Sequence, residues 1–449
     1  MSREKKKRQH QKSQSSQRFA EPVEELLREI AKDAAGKPLE ESLTPDSPLK
    51  HLIARVVELA YEEEMTEHLG YERHEPTVDE EGRRIPRSNT RNGSSKKTLR
   101  TSHGDVEVKV PRDRNSKFEP QIIPKHSAIT KDLEQRVVSM YARGMTTRDL
   151  RSHVEEIYGL DVSPMFVSRL VERLDPELKA WRNRPLEQIC PIVFVDGIHM
   201  KVRHSHGVRS TAAYLVCGYT ESGQLQILSI CMASGSEVVA ESASYWHQVL
   251  IELKNRGLED VLILSADGLS GLSEAVQAVY PNAHIQPCVV HMVRASLRLV
   301  NWKDRKKLSP LLRAIYQAPS YEAAELALER FDEQWGQRYP GVVQQWEQNL
   351  PRLSQMWSYG PELRRIVYTT NAIENINRQV RKVIKNRGAF PNPNSALRLL
   401  TLVLMRINET YAKKKPRREW KAVLNDLHIL FSDRLPPQWG HRYQNVYLR

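Results

Sequence analysis

Residues 191–200, PIVFVDGIHM, set one carboxylate, Asp196, into the middle of an apolar run. The four residues before it, 192–195, are all apolar, which is typical of a strand covered on both faces by helices. Burying an ionised carboxylate without a partner is costly, so such a group normally neutralises, pairs or binds a metal. The run therefore predicts an α/β structure in which Asp196 has a polar companion.

A second apolar run, VLILSADG at residues 261–268, ends in Asp267 and leads into a helical pattern. Ligands in α/β sheets gather beyond the carboxyl ends of the strands, so an aspartate at that position is well placed for chemistry. Two such strands suggest one shared metal site. Each aspartate has an alternative role as a helix N-cap or a paired core acid, because Asp is a favoured cap.

A third acid, Glu374, lies in the helical pattern TTNAIENINRQVRKVIKNR at residues 369–387. One face of this helix is apolar, and Glu374 falls on the opposite side in a polar and basic stripe. The apolar residues are Ile373, Ile376, Val380, Val383 and Ile384, and the stripe comprises Asn371, Arg378, Arg381 and Lys385. An acid at the head of such a stripe suits a metal ligand whose neighbouring cations hold phosphates. The alternative is an exposed pair of Glu374 with Arg378, worth roughly a few tenths of a kcal/mol.

Four motifs, VDGIHMKV, LSADG, CVVH and TTNAIENINRQVRK, together resemble the mutator-type transposases of bacterial insertion sequences. The likeness runs from about residue 50 to about residue 435 and keeps the motif order. It implies an α/β ribonuclease H-like catalytic domain in which Asp196, Asp267 and Glu374 are the catalytic acids. Their spacings, 71 residues (267 minus 196) and 107 residues (374 minus 267), fit a family whose second gap holds a helical insertion.

The overall charge favours nucleic acid as the partner. A chain of 449 residues predicts two or three domains, and a net charge of +13 with a pI near 9.4 predicts a polyanionic partner. No run reaches the eighteen or so apolar residues of a membrane span, and no secretory segment is recognised at the start. We therefore expect no membrane partner and a cytoplasmic, nucleoid-associated protein. The four cysteines form no C-x-x-C pair, so no disulfide framework is expected.

The N-terminal part is basic and mostly helical. Residues 1–18 hold seven Lys or Arg against one Glu and are expected to form a disordered arm, either solubilising or DNA-contacting. Residues 19–125 follow, with helices at Pro22–Ala35 and Leu49–Leu69 separated by the linker 36–47. The second helix carries a predicted inward stripe of Leu52, Val56, Leu59, Ala60 and Met65. KKTLRTS and VEVKVPR then predict a small β-hairpin, whose basic residues either follow a phosphate backbone or are simply solvated.

Residues 126–180 predict a helix-turn-helix. Gly159 ends one helix, and Ser163 caps the next, with Pro164 in its first turn. A short Gly-containing turn between two helices is typical of this DNA-binding geometry. Met165, Ser168 and Arg169 would then head the recognition helix. Any three-helix bundle gives a similar pattern, and the family resemblance favours DNA binding.

The catalytic domain is predicted in two parts. The first, residues 188–291, has three successive strands followed by alternating helices and strands, which makes the strands of Asp196 and Asp267 neighbours. The second, residues 361–395, contains the Glu374 helix. Between them, residues 292–360 predict a helical insertion, in which Trp302, Trp335, Trp346 and Trp357 are expected to be core residues. Residues 396–449 add a C-terminal helical region with a basic break at 413–418.

Three carboxylates suit hard divalent cations, so two Mg²⁺ or Mn²⁺ ions are expected and zinc is not. Two such ions activate water or a 3′-hydroxyl for attack on a phosphodiester. We assign Asp196 to bridge the ions, with Asp267 and Glu374 holding one each. The family resemblance implies double-stranded DNA as partner, both terminal inverted repeats and target, and a homodimer or higher oligomer in the synaptic complex.

Three further residues are candidates around the acids. Cys288 and His291 form a C-x-x-H motif, in which His291 contacts the scissile strand or, equally, hydrogen-bonds a buried structural Cys. Asn371 is a candidate to support Glu374. Two other functions remain open: a metal-dependent nuclease without joining activity, and a transposase-derived DNA-binding regulator, against which the intact triad argues.

Overall fold

The computed structural model describes residues 28, 31–32, 48–76, 87–101, 104–125, 129–205, 207–233, 242–369, 371–436 and 439. The chain divides into two compact units, residues 1–139 with 147–168, and residues 140–146 with 169–449. The predicted basic arm, the linker 36–47 and most of the predicted helix Pro22–Ala35 lie outside the described residues. Within those described, no helix combines the length and apolarity needed to span a membrane.

The first unit contains a helix packed on a two-stranded antiparallel hairpin. The elements are α1 (Pro48–Leu69), β1 (Arg91–Thr101) and β2 (Gly104–Asp113). Val106, Val108 and Val110 alternate with exposed residues along β2 and form a small core with Leu99 and Tyr61. The predicted hairpin and its apolar face are therefore confirmed.

Three helices follow the hairpin: α2 (Lys131–Ala142), α3 (Thr147–Tyr158) and α4 (Pro164–Glu172). Gly159, with φ at +63°, donates its N–H to Glu155 O at 3.0 Å and ends α3. Ser163 Oγ accepts the Phe166 N–H at 3.1 Å and caps α4. Both helix boundaries lie where the sequence predicts them. A short helix, α5 (Asp175–Arg182), comes next.

A five-stranded mixed sheet lies in the second unit. Its strands are β3 (Ile189–His204), β4 (Gly207–Tyr219), β5 (Leu225–Met232), β6 (Asp260–Ala266) and β7 (His284–Pro287), in the order β5-β4-β3-β6-β7. The first three strands pair antiparallel, and β6 and β7 run parallel to β3. The expected run of three strands, with the strands of Asp196 and Asp267 as neighbours, is present.

Helices cover the sheet, which explains why its central strands are apolar at successive positions. Val193 and Val195 share a core with Trp246 of α6 (Ala243–Asn255) and Val276 of α7 (Leu272–Val279). Helix α14 (Pro393–Ala412) contacts β3 and β5. Asp196 is thus the one charged residue in the buried part of β3, residues 190–196.

Helices fill most of the rest of this unit. They are α8 (Val289–Arg298), α9 (Trp302–Tyr316), α10 (Tyr321–Trp335), α11 (Pro340–Leu353), α12 (Pro361–Thr369), α13 (Asn371–Ile384) and α15 (Trp420–Leu430), with 3₁₀ turns at Ser354–Ser358 and Ser432–Arg434. The helices of the predicted insertion are present. Trp346 is fully buried there and Trp335 and Trp357 are half-buried, but Trp302 is 77% exposed, so the expected core position is wrong for Trp302.

Candidate active site

The pairing of β3 with β6 brings two acids together. Val195 pairs with Ala266, so the next residue on each strand is an aspartate, Asp196 and Asp267. Asp196 is 6% exposed because β3 continues beyond it, whereas Asp267 follows the end of β6 and its side chain is about half exposed. A buried and an accessible carboxylate therefore lie next to each other on adjacent strands.

His291, on α8, contacts both aspartates. Its Nε2 lies 3.8 Å from Asp196 Oδ1, and its Nδ1 lies 4.0 Å from Asp267 Oδ2. Nδ1 is also 3.2 Å from Cys288 Sγ, and the Cys288 N–H donates to Ala266 O at 2.8 Å, which fixes the start of α8 to the end of β6. The hydrogen bond with Cys288 and the nearby acids raise the pKa of His291 to about 9. The imidazolium form therefore predominates at neutral pH.

Glu374 is held by the next turn of the same helix. Arg294 follows His291 by three residues on α8, so the two side chains lie on one face. The Arg294 guanidinium forms an ion pair with the Glu374 carboxylate, whose side chain is 25% exposed. Two cations of α8 thus contact all three predicted acids.

A second link joins Glu374's helix to Asp196. Asn377, one turn after Glu374 on α13, is fully buried and donates its amide N–H to Asp196 Oδ2. The Gly197 N–H donates to Asp196 Oδ1 at 2.8 Å. Burial raises the pKa of Asp196, while the charges of His291 and Arg381 and these two hydrogen bonds act in the opposite direction. Burial outweighs these effects, so the pKa of Asp196 is raised above its usual range.

The donor set is chemically suited to a hard cation, since all three acids offer carboxylate oxygens. In the described part of the chain, no group of three or more His, Cys, Asp and Glu side chains is arranged to hold a metal ion. The acids here instead contact His291 and Arg294. Carboxylates of this kind suit metal ions, and His291 and Arg294 suit the phosphate oxygens of DNA.

The other predicted residues on α13 lie outside this cluster. Arg378, Arg381 and Lys385 are exposed along the helix, and the charge of Arg381 acts on Asp196. Arg378 donates to Asn375 Oδ1 at 3.1 Å. Asn371 is exposed and lines a separate cavity of about 280 Å³ with Lys414, Lys415 and Arg417. The predicted support of Glu374 by Asn371 stays a prediction.

The residues predicted to head a recognition helix are exposed on α4. Met165 is 64% exposed, and Ser168 and Arg169 are also exposed, whereas Val167 and Leu170 of the same helix are buried. Ser168 Oγ donates to Pro164 O at 3.0 Å. The outward and inward sides of α4 are therefore those that the pattern predicts.

Two residues of the site, Asn377 and Arg294, are absent from the sequence prediction. Asn377 lies on the apolar face of α13, four residues after Ile373 and three before Val380, so a polar residue there signals a buried partner. Arg294 continues the C-x-x-H motif by one helical turn. Both signals are local, but neither identifies the partner.

The fold and site define an α/β protein with three carboxylates gathered around two cations of one helix. The family model described as "Transposase, Mutator family" matches residues 25–433. The chain therefore belongs to the Mutator family of transposases.

Proteins named as insertion-sequence transposases are similar in sequence to this chain over most of its length. A probable transposase for insertion sequence element ISRM3-like, from Sinorhizobium fredii, is 38% identical over 401 residues, covering 89% of this chain and 96% of that protein. The transposase for insertion sequence element ISRM3 of Rhizobium meliloti has the same identity and coverage. A probable insertion-sequence transposase of Corynebacterium diphtheriae is 35% identical, covering 72% and 98%. A chain of a simian T-cell lymphotropic virus intasome matches 43% of this chain and 66% of its own length, but at 12% identity and a TM-score of 0.17 it carries no argument.

Proposed function

We propose that this transposase binds the terminal inverted repeats of a mobile DNA element, cleaves the strands there and joins them to target DNA. The observation that carries this proposal is the convergence of Asp196, Asp267 and Glu374 on His291 and Arg294 of α8. Three acids from distant parts of the chain meet at one face of one helix. A set of acids next to cations suits chemistry on a phosphodiester. The acids would hold metal ions, and the cations would attract the DNA backbone on which those ions act.

The proposed catalytic domain is ribonuclease H-like. Three antiparallel strands followed by two strands parallel to β3 support this assignment. Asp196 lies in the middle of β3, Asp267 directly follows β6, and Glu374 lies on α13.

The cofactor would be two Mg²⁺ or Mn²⁺ ions, held by Asp196, Asp267 and Glu374. When bound, the ions supply Lewis-acid activation of a water or 3′-hydroxyl and stabilise the leaving oxygen. The protein's own part is to hold the three carboxylates and to limit their repulsion. Arg294 is about half exposed, so its guanidinium can turn from Glu374 to a DNA phosphate.

Double-stranded DNA would follow the basic side of α13. Lys385, near the end of the predicted stripe, lines a cavity of about 490 Å³ with Lys201 of β3 and Arg387. These cations extend the stripe away from Asp196. The exposed residues Met165, Ser168 and Arg169 of α4 would contact bases of the terminal repeat, with a dimer or higher oligomer holding two ends together.

A strand-transfer assay tests this function. The full chain is mixed with a duplex carrying an end of the element that encodes it and with a plasmid target. Joined products are expected in Mg²⁺, fewer in Mn²⁺, and none in Ca²⁺ or EDTA. Cleavage without any joined product would instead identify a nuclease, and equal product in EDTA would exclude the metal chemistry.

A further inference from the structure

A cavity of about 510 Å³ adjoins the proposed active site. Asp267 and His291 form part of its wall, and the rest comes from residues 268–274 after β6, from β7, and from one side each of α8 and α11. Its volume lies in the range of ligand cavities, roughly 300 to 1,000 Å³. No step of the proposed strand cleavage and joining, as described above, uses this space.

One side chain in this cavity is buried without a hydrogen-bond partner. Gln286 of β7 is 1% exposed and lines the cavity, yet neither its Nε2 nor its Oε1 has a partner among the described residues. A buried amide left unpaired costs free energy, and such groups are rare in native proteins. The position of Gln286 therefore points to a ligand that is bound during function.

The facing wall of the cavity differs, because its polar groups satisfy one another. Gln345 Nε2 donates to Met292 O at 3.2 Å, and Gln345 Oε1 lies 3.3 Å from Ser296 Oγ, whose O–H also donates to Met292 O at 2.8 Å. Asn349 Nδ2 donates to Gln345 O at 2.8 Å, and Asn349 Oδ1 accepts from Arg352 at 3.5 Å. Gln286 differs from this wall because both polar atoms of its amide are buried and unpaired.

We infer that this cavity receives a nucleobase of the DNA end, unstacked beside the cleaved phosphate, and that the Gln286 amide binds the edge of that base. This inference rests on the proposed function, because a phosphate at Asp267 and His291 brings its own nucleotide to the cavity. An amide offers one donor and one acceptor in a plane. This pattern matches the N6 and N7 atoms of adenine, to which Gln binds with two hydrogen bonds. A base must leave the stack to enter a cavity of this kind.

Ser265 is the alternative partner for Gln286. It is opposite Gln286 in the β6–β7 ladder, is 1% exposed, and its Oγ also lacks a hydrogen bond in the described structure. If the two side chains bonded each other in solution, the amide would be structural. The two roles differ in what a substitution does to folding and to DNA cleavage.

The test uses the full chain and end duplexes that carry 2-aminopurine, one substitution at a time, around the cleaved phosphate. The fluorescence of this base rises when it leaves the stack. We expect one position to brighten on binding in Ca²⁺. With Mg²⁺, Gln286→Met should slow cleavage of the unmodified duplex between about 5-fold and 150-fold. On a duplex that lacks the base at the bright position, Gln286→Met and the unsubstituted protein should cleave at the same rate.

Two controls separate binding from folding. Gln334→Met, on the exposed side of α10, makes the same change away from the cavity and should leave cleavage unchanged. Gln286→Met should not lower the melting temperature of the free protein, because it removes an unpaired buried amide. A lower melting temperature for both Gln286→Met and Ser265→Ala, with equal slowing on intact and abasic DNA, would overturn the inference.

Failure of the proposed function gives a different result. If the unsubstituted protein cleaves no end duplex, the proposed function fails and this inference fails with it. If it cleaves normally but no position brightens, or Gln286→Met cleaves as fast as the unsubstituted protein, only the cavity's role is refuted.

Discussion

Asn377 connects the helix of Glu374 to the buried aspartate of the sheet. We predict that Asn377→Ala destabilises the protein by about 1 to 3 kcal/mol, because Asp196 then keeps its burial and loses a donor. Denaturant unfolding measures this change. Gln379→Ala, on the exposed side of the same helix, serves as the matched control and should have little effect. The same cost for Asn377→Ala in an Asp196→Ala background would argue against this role.

The proximity of Asp196 and Asp267 was predictable, but the partners of the acids were not. Asp196 and Asp267 each interrupt or end an apolar run, and the strand order that follows from the runs makes them neighbours. Arg294 and Asn377 find their partners 80 residues (374 minus 294) and 181 residues (377 minus 196) away along the chain. Periodicity describes one element at a time, so it cannot supply such pairings. His291 had two expected roles, and one of them, a hydrogen bond with Cys288, is present.

At the level of elements, the hairpin of the first unit depends on Asp113 at the end of β2. Asp113 is 3% exposed and accepts hydrogen bonds from Asn89 at 2.7 Å, the Lys117 N–H at 3.0 Å and the Phe118 N–H at 3.1 Å. Burial raises the pKa of Asp113, but these hydrogen bonds outweigh it and hold the pKa well below its usual range. The carboxylate thus stabilises the folded hairpin only while it is ionised.

This predicts a pH dependence for the first unit. A lowered folded-state pKa contributes stability that is fully present above the unfolded-state pKa of about 3.9 and is lost as the pH falls further. At pH 5, the backbone amides of β1 and β2 should therefore exchange more slowly than the same amides would in an unfolded chain. This protection should be lost below about pH 4. Asp113→Asn should lower protection at pH 5 and remove most of the pH dependence. An unchanged acid response in Asp113→Asn would show that other groups control it.

The basic stripe of α13 gives a second prediction at this scale. Arg378, Arg381 and Lys385 extend along about three turns from Glu374, so Lys385 is roughly 16 Å from the acid along the axis. If they follow DNA phosphates, Arg381→Ala and Lys385→Ala should each flatten the slope of log K against log salt by about 0.9. The loss of affinity should be similar for all DNA sequences.

Salt titrations of DNA binding measure the stripe's contribution. Lys382→Ala, which removes an exposed cation from another side of the same helix, is the matched control and should leave the slope closer to that of the unsubstituted protein. A lower melting temperature with an unchanged salt slope would mean that these cations support folding instead.

The elements were predicted better than their buried faces. The hairpin, the strands of the sheet and the Glu374 helix have the expected positions, because their periodicity is strong. For α1, the predicted inward residue Met65 is fully buried, but Val56 and Leu59 are 56% and 45% exposed. Tyr61, which was not predicted to point inward, is fully buried. An aromatic residue five positions after Val56 shifted the buried face, since burying the large ring of Tyr61 against the hairpin outweighs burying a smaller Val or Leu.

For the whole molecule, the boundary between the units affects how DNA binding must be tested. Residues 140–146 and 169–180 of the predicted domain 126–180 group with the sheet. Asp175 forms a bidentate ion pair with Arg398 at 2.7 Å, so a fragment ending at residue 175 would lose it. DNA binding by α4 is therefore better measured on the full chain.

Substitution of Arg169 tests the proposed DNA binding by α4. We predict that Arg169→Ala weakens binding to the element's own end by about 1 to 3 kcal/mol if Arg169 contacts a base there, and weakens binding to random DNA less. Arg173→Ala, one turn further along the chain and also exposed, is the comparison. Equal losses of affinity for both DNAs in competition binding would show that Arg169 contacts phosphates and not bases.

Asp196, Asp267 and Glu374 are proposed to act together on DNA. The most direct measurement is cleavage and joining of end DNA in Mg²⁺ by Asp196→Asn, Asp267→Asn and Glu374→Gln, with Glu333→Gln as an exposed control. Each of the three should lose both reactions and still bind the end, because each removes a metal-binding charge at little cost in volume, and the control should be fully active. Normal strand transfer by any one of the three would exclude that residue from catalysis and contradict the proposed joint action of the acids.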